Sequence, residues 1–150
     1  MRYFVIALII LTSQTACATP RNVTEYGPFA DIVAEFESYA YPRIVTNRII
    51  FADLADTNEG GRATLAICNT WTKVIRIHKP YWDRVSPDNR AIVLLHELGH
   101  CTGLSRDHLN TLRADGTPMS LMRESPISER VFVANRQYYL TELINGTDED

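Results

Sequence analysis

The stretch "HELGHCTGLSRDH", residues 96–108, decides how the rest of the chain is interpreted. His96 and His100 are four residues apart, so on a helix both imidazoles lie on one face and can reach one ion. Glu97 is placed to contact a water on that ion rather than the ion itself. Zinc lowers the pKa of a bound water to about 7, and a carboxylate can accept the proton as general base. The stretch therefore predicts a zinc site for peptide-bond hydrolysis, with Glu97 as its base.

The residues around this motif predict a helix with defined ends. In "SPDN", residues 86–89, Ser86 can cap the helix, Pro87 suits its first position and Asp88 lies in its first turn. Gly103 is the predicted helix-stop glycine, because glycine adopts the left-handed conformation at little cost. The helix is therefore expected to run from this start towards Gly103 and to carry the whole of "HELGH".

A catalytic zinc ion needs a third protein ligand beyond the two helical histidines. His108 is the residue that we predict for this role, and Asp107 is its direct rival in the same loop. Another geometry takes a glutamate from a later segment, and the downstream glutamates are Glu124, Glu129 and Glu142.

The motif resembles that of the metzincin branch of zinc peptidases, H-E-x-x-H-x-x-G-x-x-H followed by a turn that bears a methionine. "HELGH" and Gly103 are in register, whereas Arg106 stands where the last histidine is expected and His108 comes two residues later. The resemblance implies that His108 is the third ligand, in a loop of different length.

A closer resemblance is to a group of small exported bacterial metallopeptidases, several of them similar to lipoproteins. It rests on "IHKPYWDR" (77–84), "HELGHC", "RDH" and "TPMSLM" (117–122), and it covers about residues 68–122. It implies a zincin-like fold, a peptide or protein substrate, and Met122 as the methionine of the turn below the zinc. Ordinary core packing is the alternative role for Met122.

Hydrophobic spacing predicts an α+β domain over residues 19–145, with a small mixed or antiparallel sheet, the active-site helix and a C-terminal helix. The predicted helices and strands outside the motif are a helix at 28–41, strands at 48–55, 63–69 and 73–79, and a helix at 128–144. In zincin folds the strand before the active-site helix forms a cleft wall whose exposed edge can pair with substrate, and residues 73–79 occupy that position. Residues 146–150 are an acidic tail that we expect to be disordered.

The first 18 residues have the layout of a secretory signal peptide. Arg2 is followed by the apolar run 3–11, which is too short to span a bilayer, and then by a polar stretch that ends in Ala16-Cys17-Ala18. Cleavage after Ala18 is one prediction; the other is a lipoprotein signal with Cys17 as the lipidated residue and a membrane anchor. Both predict export, to the periplasm, to the outer membrane or by secretion.

Export also bears on the cysteines, because disulfides persist outside the cytoplasm. If Cys17 is removed or lipidated, Cys68 and Cys101 remain and are the natural disulfide pair. Two buried free thiols are an alternative, and a zinc-thiolate role for Cys101 is another.

Composition excludes one class of partner and leaves others open. The chain has 150 residues and a net charge of −3, with no basic stripe that could follow a nucleic-acid backbone. Nucleic acid is therefore not an expected partner. The zinc peptidase competes with a non-catalytic zinc-binding envelope protein and with a metal-free lipoprotein scaffold.

Overall fold

The computed structural model describes residues 23–40, 46, 48–54, 64–104 and 108–145, with side chains from residue 26 onwards. The predicted signal peptide at 1–18 with Cys17, the rival ligand Asp107, and the tail 146–150 lie outside the described residues. Within the described part of the chain, no helix has the length and apolar character needed to cross a membrane.

The described elements form a small α+β domain, as the sequence predicts. In chain order they are a 3-10 helix Val23–Phe29, α1 Ala30–Ala40, β1 Arg48–Ala52, β2 Ala66–Asn69, β3 Val74–His78, α2 Lys79–Arg84, α3 Pro87–Thr102, α4 Glu129–Ala134 and α5 Arg136–Asn145. The three strands form one mixed sheet in the order β1-β3-β2, in which β3 runs parallel to β1 and antiparallel to β2.

The predicted role of residues 73–79 as the exposed edge strand is wrong, because β3 is the central strand of the sheet. A tight turn reverses the chain after β2, and the Asn69 side chain accepts hydrogen bonds there from the backbone N–H groups of Trp71 and Thr72. Lys73 completes the turn with a positive φ of 56°. β2 thus pairs with one side of β3 and β1 with the other, so β2 forms a sheet edge among the described strands.

Helix α3 runs through the core and has the predicted ends. Ser86 caps it by accepting a hydrogen bond from Asn89 N at 3.2 Å. Gly103 ends it at φ 75°, and its N–H donates to the carbonyl of His100. The buried apolar side chains of α3 pack against the sheet and the other helices; they are Ala91, Ile92, Val93, Leu94, Leu95, Leu98 and Cys101.

The predicted C-terminal helix is interrupted at Asn135 and forms two helices, α4 and α5. Asn135 has non-helical angles, φ −128° and ψ 22°, and its side-chain amide donates to the carbonyl of Val131 at 3.0 Å. This side chain competes with the regular helical ladder, which explains the break. Immediately after it, Arg136 makes hydrogen-bonded ion pairs with Glu35 and Asp88, which join α5 to α1 and to the start of α3.

Candidate metal centre and cleft

Three histidine side chains converge on one point at the C-terminal half of α3. His96 and His100 come from α3, and His108 comes from the segment that follows it. The Nε2 atom of His100 lies 3.1 Å from that of His96 and 3.2 Å from that of His108. Nitrogens that bind one tetrahedral zinc ion at about 2.0–2.1 Å lie about 3.3 Å apart. The donor set and its spacing therefore fit a single metal ion.

The orientation of His96 is fixed by a backbone carbonyl. Its Nδ1 atom lies 3.0 Å from the oxygen of Leu121, so Nδ1–H donates there and Nε2 keeps its lone pair towards the other histidines. Burial is the main cause that lowers the pKa of His96, to about 4, and the neighbouring His100 and His108 lower it further. His96 is therefore neutral near pH 7, which is the form that binds metals.

The segment that begins at His108 is anchored to the methionine turn. The N–H of the next residue, Leu109, donates to the carbonyl of Met122 at 2.6 Å. No downstream glutamate enters this group within the described part of the chain. Glu129 instead accepts a hydrogen bond from Asn89, and Glu142 accepts one from Leu121 N.

Glu97 lies beside the histidine group and outside it. Its side chain is 8% exposed, and it lines the same cleft as the three histidines. Burial raises the pKa of Glu97 to about 7, against a smaller lowering by the backbone N–H of Cys68, which donates to the carboxylate. Glu97 is thus a buried acid–base group directly next to a histidine of the metal centre.

Met122 packs against the helix turn between His96 and His100. It is 1% exposed, and a Cβ atom added to Gly99 would lie 2.7 Å from its sulfur. The turn has an internal hydrogen bond of 2.9 Å from Met122 N to Ser120 Oγ. The structure therefore places the predicted methionine directly below the metal-centre helix, where it also fills the core.

Helix α5 holds this turn through contacts that the sequence analysis missed. Tyr138 and Tyr139 donate from their hydroxyls to the carbonyls of Met119 and Pro118, at 2.7 and 2.8 Å. The Glu142 carboxylate accepts from Leu121 N at 3.3 Å and is hydrogen-bonded to Ser120. Tyr138 and Glu142 are four residues apart and share one helix face, a spacing that could have marked them as a polar face directed at another segment.

The predicted disulfide between Cys68 and Cys101 is present, with an S–S distance of 1.99 Å. It ties β2 to the last turn of α3, next to His100, and it removes Cys101 as a thiolate ligand. Lys73 reinforces the same junction, because its Nζ donates to the carbonyl of Cys101 at 2.7 Å.

The metal centre lies in an open cleft with a volume of about 540 Å³. Helix α3 forms its floor, and residues 64–70 form one side, named here the β2 wall. The opposite side is the turn wall, residues 118–126, of which Leu121 and residues 123–126 line the cleft. A site with two walls across a metal-binding floor can hold an extended chain.

Two residues of β2 direct their backbone hydrogen-bonding groups towards this cleft. Asn69 and Leu65 accept hydrogen bonds from Lys73 N and His78 N on the β3 side. Because alternate residues of a strand face opposite neighbours, the backbone groups of Ala66 and Cys68 face the cleft. The hydrogen bond from Cys68 N–H to Glu97 agrees with this direction.

Fold and site together define the class of protein: a small α+β domain whose three histidines can hold one metal ion beside a buried glutamate. The chain belongs to the family described as "Putative phage metallopeptidase", whose model matches residues 26–147. No curated protein and no solved structure matches the chain significantly. The family supports the metallopeptidase prediction at this level, while the likeness to exported, metzincin-like enzymes stays a prediction.

Proposed function

We propose that this protein is a zinc-dependent endopeptidase of zincin-like architecture, in which His96, His100 and His108 bind the metal and Glu97 is the general base. The observation that carries the proposal is the convergence of three Nε2 atoms beside a buried carboxylate on the floor of an open cleft. A metal held only for structure does not need such a carboxylate beside it.

Zinc is the proposed ion because neutral imidazole nitrogens at tetrahedral spacing suit it. When bound, zinc lowers the pKa of a water molecule and polarises the substrate carbonyl. Leu121 orients one of the proposed ligands, because its carbonyl accepts a hydrogen bond from Nδ1–H of His96. This hydrogen bond fixes both the tautomer and the ring orientation of that ligand.

Glu97 moves the proton in the proposed reaction. Its carboxylate accepts the proton of the attacking water and passes it to the amine that leaves as the peptide bond breaks. The Cys68 N–H holds this carboxylate on the side of the cleft that faces β2. The base is thus oriented by the same wall that we propose for substrate binding.

The substrate in this proposal is a peptide or protein segment in extended form. It would pair with the cleft-facing backbone groups of Ala66, as an added strand. Pairing through the backbone places a peptide bond near the metal without a requirement for one particular side chain.

The proposed site of action is outside the cytoplasm, in the bacterial envelope. The Arg2 and apolar 3–11 layout supports export, by cleavage after Ala18 or with a lipid on Cys17 as a membrane anchor. The disulfide between Cys68 and Cys101 is also typical of an oxidising compartment.

The test is the Glu97→Gln variant beside wild type and Glu124→Gln, which changes an exposed carboxylate of the same cleft. Metal content and hydrolysis of an unstructured protein substrate are measured on all three. We expect one zinc per chain throughout and an activity that falls by about 100-fold to 10,000-fold in Glu97→Gln alone.

Unchanged hydrolysis in Glu97→Gln would contradict the proposed mechanism. One zinc per chain without any hydrolysis by the wild type would favour the non-catalytic zinc-binding alternative. Absence of zinc from the gently purified wild type would favour the scaffold. His108→Ala, measured in parallel, should weaken metal binding strongly if His108 is the third ligand.

A further inference from the structure

We propose that Arg123 makes this cleft selective for peptides that carry a carboxylate close to the scissile bond. The carboxylate can belong to an acidic side chain or to the C-terminus of the peptide. This inference rests on the proposed peptidase function and names the substrate class that the same cleft prefers.

Arg123 is held close to the metal centre by its own backbone. Its N–H donates to the carbonyl oxygen of Leu121 at 3.0 Å, and the Nδ1 atom of His96 contacts that same oxygen at 3.0 Å. One carbonyl therefore positions a metal ligand and the backbone of Arg123 together. Arg123 also lines the cleft, so a group bound by its guanidinium would lie near the reacting peptide bond.

The Arg123 guanidinium has a hydrogen-bond donor without an acceptor among the described residues. Its Nε atom is buried and has no hydrogen-bond partner among the residues that the structure describes. Among the described residues no carboxylate forms a salt bridge with it, whereas Arg113 and Arg136 each pair with acidic groups. The terminal nitrogens of this guanidinium also make no hydrogen bond to another described residue, and a ligand that supplies an acceptor to them is favoured.

A carboxylate is the acceptor that fits a guanidinium best, because its two oxygens can take two parallel hydrogen bonds. Among the described residues that line the cleft, Arg123 is the only lysine or arginine. Much of the remaining described lining is apolar, for example Leu65, Ile92 and Pro126. A guanidinium in such surroundings discriminates strongly between a carboxylate and a neutral or cationic group.

Two of the described residues that line this cleft are acidic, and one of them provides the control variant. Glu97 is buried and oriented by Cys68, whereas Glu124 is exposed and adjacent to Arg123 in the chain. Glu124 has the opposite charge on the same wall, so Glu124→Gln is the matched variant. It should leave the preference for carboxylates in place.

The experiment compares peptides of one sequence that carry Asp, Asn or Lys at each position near the cleaved bond, with a free or amidated C-terminus. Wild type should show a kcat/KM about tenfold or more higher for the peptide with the recognised carboxylate than for its neutral counterpart, which is Asn for Asp or the amide for the free C-terminus. Arg123→Gln should lose this ratio, mainly through a lower kcat/KM for the peptide that carries the carboxylate. Arg123→Glu should favour the Lys peptide.

The C-terminal arms identify the source of the carboxylate. A preference for the Asp over the Asn peptide assigns it to an acidic side chain, and a preference for the free over the amidated C-terminus assigns it to the peptide C-terminus. Equal rates on all peptides, or a preference retained in Arg123→Gln, would overturn the inference.

A binding measurement separates this inference from the peptidase proposal. Zinc-loaded Glu97→Gln, with and without Arg123→Gln, is titrated with the Asp and Asn peptides, each with a free or an amidated C-terminus, and binding is followed by calorimetry. Tighter binding of the Asp peptide, or of the peptide with a free C-terminus, that depends on Arg123 supports the selectivity even if no peptide is cleaved. Equal affinities for all four peptides would overturn it even for an active peptidase.

Discussion

The two walls of the cleft are held in different ways and serve different groups of the centre. The β2 wall is tied to α3 by a covalent bond between Cys68 and Cys101. The turn wall is held by hydrogen bonds with three side chains of α5: Tyr138 and Tyr139 donate, and Glu142 accepts. The covalent link ends at Cys101, the residue after His100. The hydrogen bonds instead connect α5 to residues 118–121 of the turn wall.

Each wall also reaches a different functional residue. The β2 wall donates a backbone N–H to Glu97, the proposed base. The turn wall accepts from His96, a member of the histidine group, through the carbonyl of Leu121. Loosening the first wall should therefore act mainly on the base and substrate, and loosening the second on the metal.

Removal of the disulfide should give the largest loss of stability. The bond closes a loop with a sequence separation of 33 residues, and cross-links of that size contribute about 3–4 kcal/mol. Cys68→Ser with Cys101→Ser should lower the free energy of unfolding by about this amount in urea titrations. Metal affinity should fall less than about tenfold, because the histidines and Leu121 keep their contacts. If this variant lost metal affinity but little stability, the β2 wall rather than the turn wall would be the one that supports the metal.

Removal of the Glu142 carboxylate should show the opposite pattern. Glu142→Ala leaves Leu121 N and Ser120 without their acceptor, at a cost of about 1–3 kcal/mol of stability. The metal dissociation constant should rise by about tenfold or more, because the Leu121 carbonyl loses its support. Competition with a fluorescent chelator measures it. Thr141→Ala changes an exposed neighbour on the same helix and is the control; an equal shift in both would count against a specific role.

The two tyrosines should have smaller effects. Tyr138→Phe and Tyr139→Phe each remove one hydrogen bond to the turn, so each should lower the free energy of unfolding by about 1 kcal/mol. The double variant should also weaken metal binding if the turn wall moves as one unit. Thermal unfolding with and without zinc measures both effects. If the two losses of unfolding free energy add up and the metal affinity stays unchanged, the turn does not support metal binding.

The smallest effect should be a dependence on pH through Glu142. Burial raises the pKa of Glu142 above its ordinary value of 4.5. The folded chain then binds more protons here than the unfolded chain between the two pKa values, so this group costs stability as the pH rises through that window. The stability of wild type relative to Glu142→Gln should therefore decline as the pH rises from about 4.5, which urea titrations at several pH values measure. A difference that grows with pH would contradict the sign.

The parts of the site that depend on local sequence could be predicted. Ser86 and Gly103 mark the ends of α3 through short-range hydrogen bonds and backbone conformation, and the spacing of His96 and His100 fixes their common face. Such signals involve residues only a few positions apart, so one sequence is enough to recognise them.

The parts that depend on distant contacts could not be predicted. Glu142 meets Leu121 across 21 positions, and Arg136 meets Glu35 across 101. The residue pattern of 73–79 does not indicate that β3 is the central strand, because strand order follows from tertiary pairing. The break at Asn135 was missed because the apolar pattern continues through it.

Gly99 gives the fourth letter of "HELGH" a steric meaning. With no side chain there, the sulfur of Met122 occupies the space that a Cβ atom would need, and a methyl of Leu143 lies at a similar distance. The helix and the turn thus share one small volume. A larger residue at 99 requires the ends of the Met122 and Leu143 side chains to shift or to be shortened. The close approach of α3 to the methionine turn therefore depends on the missing side chain of Gly99.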